Sequence, residues 1–328
     1  VNNNDFHAKL AGEAAFTLRT GRFLVVVNPK ATSVSDRLRD LVLCALKVSF
    51  DVDVVDTTHR GHGTELARAA VSEGYDAVVA FGGDGTLNEV ANGLAGSKVP
   101  MAPLPGGNAN VFCRLLGVPA AMSEATIELL AAQHWQHRDV DLGRLGDRYF
   151  LFAGGIGLDA TVVEQVDAHP RQKALYRNLY YAHVAIDSIA RNYLMHPPLL
   201  TVELEDGRRL DGVTAITQNA AAYTFFGRRT VTLGHDTRLD SGDVTGAVLA
   251  RLRTRSVPAI TRRLLSPRVE LDGHPDISVF RTGTAVTVRS RDERPLPLEV
   301  DGDFIGTRQE LEIGVAPRAL RILVPVKS

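Results

Sequence analysis

Phe81-Gly82-Gly83-Asp84-Gly85-Thr86-Leu87-Asn88-Glu89-Val90 decides how this chain is read. The apolar run Ala77-Val78-Val79-Ala80-Phe81 enters the stretch as a strand, and Leu87 to Leu94 leaves it as a helix. Glycines at a strand-to-helix turn let backbone N–H groups come close to a polyphosphate, and the helix N-terminus adds a favourable dipole. A carboxylate at the centre of such a cradle would repel phosphate. Asp84 therefore suits the turn with a magnesium ion between it and the anion, or as a proton acceptor, and phosphoryl transfer is the expected chemistry. The alternative is an ordinary tight turn in which Asp84 caps the helix.

Strands and helices alternate on either side of this stretch. Phe23 to Val27 reads as a buried strand closed by Asn28-Pro29, Ser35 to Val48 as an amphipathic helix, and Val52 to Val55 as a second strand. A helix from Gly63 to Glu73, the strand at Ala77 to Phe81 and a fourth strand from Val99 to Leu104 continue the rhythm, which predicts a doubly wound, mostly parallel sheet. Ligands of such sheets bind at the carboxyl ends of the strands. Here those ends carry Asn28-Pro29, Thr57-Thr58, Gly82 to Thr86 and Pro105 to Asn110, which would form one crevice.

The pattern changes after a helix at about Met122 to Gln133. Asp139 to Leu145 and Tyr149 to Gly154 read as a hairpin around Gly146-Asp147, and Arg171 to Leu194 as a helical segment with aromatic residues. Short alternating runs follow at 200–204, 214–218, 244–250, 284–288, 296–300 and 320–324, and they predict an antiparallel β-sandwich-like second domain. The expected division is 20–136 for a nucleotide-binding α/β domain and 137–316 for a β-rich acceptor domain, with 317–328 a candidate to pack back on the first.

Composition excludes several classes. A formal charge of −1 gives no support for nucleic-acid binding, and no apolar run reaches the roughly 18 residues of a membrane span. Val1 to Asp5 lacks the basic and apolar regions of a signal peptide, so a cytoplasmic protein with Cys44 and Cys113 as reduced core thiols is expected. The cluster Arg251, Arg253, Arg255, Arg262 and Arg263, followed by Leu264-Leu265, is either a solvated helix face or a patch that adsorbs to anionic lipid. An edge strand could pair two subunits, so a homodimer is left open.

Three further motifs bear on chemistry. Leu104-Pro105-Gly106-Gly107-Asn108-Ala109-Asn110 again joins a strand to a helix, with Asn108 and Asn110 able to bond phosphate or ribose or to cap the helix at Val111. Gly155-Ile156-Gly157-Leu158-Asp159-Ala160 fits a dinucleotide fingerprint but lacks the later acidic strand end, so a turn packing a helix on the sheet is the better reading. Val300-Asp301-Gly302-Asp303 is either a type I′ hairpin turn or a corner presenting a general base. No phosphate-binding G-x-x-x-x-G-K-[ST] and no H-E-x-x-H occurs.

Together these stretches resemble the diacylglycerol kinase catalytic-domain family, which includes bacterial diacylglycerol-type lipid kinases, sphingosine kinases and ceramide kinases. Gly82 to Glu89 is similar to G-G-D-G-T-x-N-E, of which NAD kinases and phosphofructokinases share only the G-G-D-G core. Asn28-Pro29, Pro105 to Asn110, Ile156 to Ala160 and Asp301-Gly302-Asp303 resemble N-P-x-x-G, P-x-G-T-x-N, I-G-F-D-A and D-G-E. The resemblance implies ATP and Mg²⁺ as cofactors and a lipid acceptor, with the nucleotide in a cleft between the two domains. It implies adenine and ribose contacts at Thr57 and Thr58 and phosphate contacts along Gly82, Gly83, Asp84, Gly85, Thr86 and Asn88. Asn28, Pro29, Gly107, Asn108 and Asn110 complete the implied nucleotide set. It also gives Asp84 a Mg²⁺-linked role, makes Asp301 the acceptor of the lipid hydroxyl's proton, and places Asp303 beside it.

The chain departs from the family pattern at Lys30-Ala31-Thr32, Asn108, Val111 and Asp303. Asp236 to Asp243 is similar to a segment that holds a structural Mg²⁺ in some members, which makes Asp240 and Asp243 candidate ligands, although Ser241 replaces an aspartate. The expected protein is a Mg²⁺- and ATP-dependent kinase of diacylglycerol, a sphingoid base or a related lipid, peripherally bound to an anionic membrane surface. The alternatives are an NAD-kinase-like enzyme for a soluble hydroxylated metabolite and a non-catalytic nucleotide- or lipid-binding regulator. The aromatic run Tyr223-Thr224-Phe225-Phe226 would line the acceptor pocket or the sandwich core.

Overall fold

The computed structural model describes residues 21–31, 35–131, 135–157, 160–161, 197–227, 229–234, 236–253, 256–264 and 271–325. The chain divides into two compact units, residues 1–140 with 319–328, and residues 141–318.

The first unit alternates β1 (Arg22–Val27), α1 (Asp36–Ser49), β2 (Asp51–Asp56), α2 (His62–Ser72), β3 (Ala77–Gly82), α3 (Asp84–Leu94) and β4 (Met101–Pro105), then α4 (Val111–Leu115) and α5 (Met122–Ala131). All of its strand pairings with known register are parallel: β1 lies between β2 and β3, β4 flanks β3, and Ile322 of the last strand pairs with Met101. All six residues of β3 are buried, as a strand covered on both faces requires. Phe23, Val25, Val27, Val79 and Phe81 meet Val42 and Leu46 of α1 and Met122 and Leu129 of α5 on one face. On the other, α2 and α3 pack together with Gly93 at the crossing, where an added Cβ would lie 2.5 Å from Ala67 Cβ. The strand order reverses between β1 and β3, so the loops at Asn28 and Gly82 flank the topological switch point where such sheets bind ligands.

The chain crosses between the units along β5 (Trp135–Leu145), which pairs with β6 (Arg148–Phe150) around Gly146-Asp147. The second unit continues with β7 (Ala153–Gly157), β8 (Leu200–Glu203), β9 (Arg209–Gly212), β10 (Thr214–Gln218), β11 (Thr224–Phe226), β12 (Arg229–Val231) and β13 (Val244–Leu249). After α6 (Val257–Leu264) come β14 (Ile277–Thr282), β15 (Val286–Ser290), β16 (Leu296–Val300), β17 (Asp303–Arg308) and β18 (Glu310–Pro325), whose end returns to the first unit. One antiparallel sheet runs β14-β13-β10-β7-β16-β17, and β8 pairs antiparallel with both β9 and β15, which in turn pairs with β18. Ile156, Ala215, Val248, Phe280 and Leu298 of the first sheet meet Val202, Val288 and Ile313 of the second in a common core, which makes the unit a sandwich.

The sequence reading did not include β9, β11, β12, β14 and β17. β9, β14 and β17 are edge strands, and with one side unpaired they carry polar residues that dilute the apolar pattern, while β11 and β12 are only three residues each. The run expected at 320–324 is the end of the sixteen-residue β18. The helix expected at 171–194, Leu158-Asp159, Arg255 and Leu265 lie outside the described residues. Tyr223 does not enter the sandwich core. It packs in a separate cluster with Leu233, Ala247 and Ile277; Ala247 and Ile277 alternate with core residues along β13 and β14, which puts them on the opposite face of the six-stranded sheet.

Candidate active site

At the carboxyl end of the parallel sheet, the loops are bonded to one another. The Asn28 N–H donates to Phe81 O at 3.0 Å and its Nδ2 to Thr86 Oγ1 at 3.2 Å, while the Thr57 N–H donates to Val27 O at 2.8 Å. The two glycine pairs meet backbone to backbone: the Gly106 N–H donates to Gly82 O at 2.7 Å, and a Cβ on Gly107 would lie 2.7 Å from Gly83 Cα. These glycines are required by loop-on-loop packing, whatever they also do for a ligand.

The carboxylates of the G-G-D-G-T-L-N-E stretch act as helix caps for other segments. Asp84, the first residue of α3, accepts the N–H groups of Val111 at 3.0 Å and Phe112 at 3.1 Å, the first turn of α4. Glu89 accepts those of Gly61 at 2.7 Å and Gly63 at 2.9 Å, at the start of α2. α1 is capped by its own Ser35, whose Oγ accepts the Leu38 N–H at 3.3 Å. Gly83, at the cap of α3, supplies no side-chain bond. Carboxylates therefore neutralise the starts of α2 and α4, while α3 begins at a glycine that has no side chain to cap it. Capping by Asp84 was foreseen as the alternative reading, but for its own helix and not for α4.

The remaining expected nucleotide residues fall into two groups. Thr58 is tied into its loop: its N–H donates to His62 Nδ1 at 3.1 Å, and its Oγ1 lies 2.9 Å from Nδ1 of His59, whose ring stacks on His62 at 4.8 Å. Pro29 and Asn108 are exposed at strand ends, and Gly85 is half-buried in the first turn of α3. Asn88 and Asn110 face inward instead. Asn88 is buried and accepts Asn92 Nδ2 at 3.1 Å. Asn110 adopts φ 45° and bonds Gly107 N and O at 2.8 and 2.7 Å, so it shapes the loop and does not cap α4. Cys113 is a core residue, and burial, reinforced by the Asp84 charge, pushes its thiol far up; Cys44, also expected in the core, is exposed on α1.

In the second unit, β16 and β17 pair Val300 with Asp303 across Asp301 (φ 50°) and Gly302 (φ 83°), the two left-handed residues of a type I′ turn. Asp301 is nonetheless more than a turn residue. It is buried, and its carboxylate accepts three consecutive N–H groups, Leu151 at 2.7 Å, Phe152 at 3.0 Å and Ala153 at 3.1 Å. Its own N–H donates to Ala153 O at 2.8 Å. Asp303 is half-buried at the start of β17.

Asp240 and Asp243 are engaged by neighbouring side chains. Asp240 Oδ1 accepts Arg238 Nε at 3.1 Å, and the two oxygens of Asp243 accept Ser241 Oγ at 2.8 Å and Arg281 Nε at 2.6 Å. No group of three His, Cys, Asp or Glu that could hold a metal ion occurs among the described residues.

Two buried polar residues beside Asp301 were missed. Asn219 donates through Nδ2 to Asp141 O at 2.8 Å and Leu151 O at 3.1 Å. Asp141 accepts the N–H groups of Gly242 at 2.6 Å and Arg318 at 2.8 Å. Their signal was weak: an aspartate inside the apolar strand Val140-Asp141-Leu142, and an asparagine just after β10.

Residues 22–145 match the family model described as the diacylglycerol kinase catalytic domain. The chain is 27% identical over 296 residues to diacylglycerol kinases of Staphylococcus aureus strains RF122 and MRSA252, covering 87% of either partner. A crystal structure of a diacylglycerol kinase from Bacillus anthracis superposes with a TM-score of 0.65 at 19% identity, covering 92% of this chain and 96% of that one. A second structure from the same strain, of a candidate diacylglycerol kinase, reaches 0.70 at 22% identity with the same coverage. At that identity the structures speak for the fold. The protein is a kinase. Its residues 22–145 carry the match to the diacylglycerol kinase catalytic domain, and the relatives it resembles over most of its length are named diacylglycerol kinases.

Proposed function

We propose that the protein transfers the γ-phosphate of ATP to the hydroxyl of a lipid, diacylglycerol or a sphingoid base, at an anionic membrane surface. The observation that carries this reading is the distribution of charge at the parallel sheet's carboxyl end. Carboxylates cap α2 and α4, whereas α3 starts at a glycine with no side chain of its own; on this reading the triphosphate lies along Gly82 to Thr86 and the Thr57-Thr58 loop takes the uncharged part of the nucleotide.

Asp84 suits a magnesium ion of the kinase kind, which takes one or two carboxylates and completes its shell with substrate oxygens and water. Its oxygens accept the Val111 and Phe112 N–H groups, and a carboxylate oxygen can accept more than one donor. When bound, the ion neutralises charge on the transferred phosphoryl group. Asp301 takes the proton of the acceptor hydroxyl, a contribution of about 10²- to 10⁴-fold in rate, and its three N–H donors fix the carboxylate's direction.

The test is incubation with labelled ATP, Mg²⁺ and a total lipid extract. Label in the lipid fraction supports the reading. Label confined to the aqueous fraction, or to ATP alone, rejects it. Asp301→Asn, which keeps an acceptor oxygen but no base, is expected to abolish transfer while nucleotide binding persists. Normal turnover by that variant removes Asp301 from the mechanism.

A further inference from the structure

Glu299 belongs to no motif, yet its placement is unusual. It is 2% exposed, in a β-strand whose neighbours Leu298 and Val300 face the sandwich core. Its pairing with Gly155 of β7 is regular, so its side chain lies on the opposite face of the sheet. There Oε2 accepts the Gly302 N–H at 2.9 Å, and Oε1 lies 3.4 Å from the Tyr223 hydroxyl. An uncharged acceptor would satisfy the Gly302 amide without the desolvation cost of burying a carboxylate.

The Asp301-Gly302 corner has two consecutive left-handed residues, a type I′ geometry that Asp-Gly favours, and the direction of the Asp301 side chain there depends on what its surroundings enforce. Most of that enforcement comes from Asp301 itself, through its own N–H and its carboxylate. The bond from Gly302 to Glu299 restrains the corner independently of Asp301.

We propose that Glu299 is a positioning residue for phosphoryl acceptance: by receiving the Gly302 amide it fixes the corner, and with it the direction of the Asp301 carboxylate toward the acceptor hydroxyl. This rests on Asp301 being the base. It predicts that loss of the acceptor oxygen lowers kcat and leaves the nucleotide side alone.

The experiment compares Glu299→Gln, which keeps an acceptor oxygen, with Glu299→Met, which has similar length and none, in the full chain. Glu299→Gln is expected to stay within about threefold of wild-type kcat, and Glu299→Met to lose tenfold or more with KM for ATP unchanged. Tyr223→Phe, which leaves the Gly302 bond intact, is expected to stay within twofold. Near-normal kcat in Glu299→Met overturns the proposal. So does a Glu299→Gln as slow as Glu299→Met, because charge and not position would then matter.

Amide exchange at Gly302, read by NMR in selectively glycine-labelled wild-type protein, supplies a measurement that needs no variant to fold. Protection supports the bond, and free exchange overturns it. That readout also separates the two failures: a wild-type chain that puts no label into lipid rejects the proposed function, whereas an active wild type with an unprotected Gly302 rejects only the role of Glu299.

Discussion

Asp84 and Asp301 each stand beside a glycine just after a strand, and in each the carboxylate binds consecutive backbone N–H groups of a segment distant in sequence. The two corners are otherwise built differently. Asp84 has ordinary helical backbone, is half-buried, and sits among restraints supplied by others: the Gly83–Gly107 contact, the Asn28–Thr86 bond and the Glu89 cap nearby. Asp301 is buried, left-handed, and the source of most bonds that hold its own turn. The first loop should tolerate loss of its aspartate better than the second. A residue chosen for chemistry can also be structural, and only its surroundings show how far the two roles separate.

That comparison breaks first at Asp301. Asp301→Ala strands three buried N–H donors and is expected to destabilise the chain by upward of about 3 kcal/mol, read by urea unfolding. Asp84→Ala strands two in a less buried place and should cost about 2 kcal/mol, so equal losses would refute the contrast. Gly107→Ala forces the glycine loops apart at the 2.7 Å approach and should cost about 1 to 3 kcal/mol while raising KM for ATP more than it lowers kcat. Glu89→Gln keeps one acceptor oxygen for two amides and is expected to cost about 1 kcal/mol, with nucleotide affinity the more sensitive readout.

The smallest effect lies at Asp53. The Tyr75 hydroxyl, then the Arg22 guanidinium, hold the Asp53 carboxyl below the usual carboxylate range. Its stabilising contribution is therefore complete above about pH 4 and is lost as pH falls through its lowered value in the folded chain. Asp53→Asn should lower the melting temperature slightly at neutral pH, where that contribution is complete, and the difference from wild type should shrink as pH falls through the acid limb.

Much of the fold was legible because it rests on local signals. Apolar runs such as Phe23 to Val27 and Ala77 to Phe81, each followed by glycine, asparagine or proline, mark parallel strands with little ambiguity. The edge strands β14 and β17 were not, since an unpaired side weakens the very pattern that identifies a strand. Asp84 stood out because a carboxylate does not suit a bare anion cradle, whereas Asp301 read equally well as an ordinary Asp-Gly turn until the family resemblance was weighed. Their partners did not stand out, because Val111, Phe112 and Leu151 to Ala153 contribute through main-chain amides that any side chain would carry. The same applies to Glu89 and Glu299, whose targets are glycine N–H groups. Nor could spacing reveal that Arg281, thirty-eight positions along the chain, takes one oxygen of Asp243.

The caps on α2 and α4 arise from a single short segment, Asp84 to Glu89, which also bonds the end of β1 through Thr86. The binding loops are thus knotted together at the sheet's rim and cannot rearrange one by one. A nucleotide that tightens one of them should quiet the others, so that hydrogen exchange at Gly61, Gly63, Val111 and Phe112 slows in concert on titration with ATP, although none of these amides needs to touch the ligand.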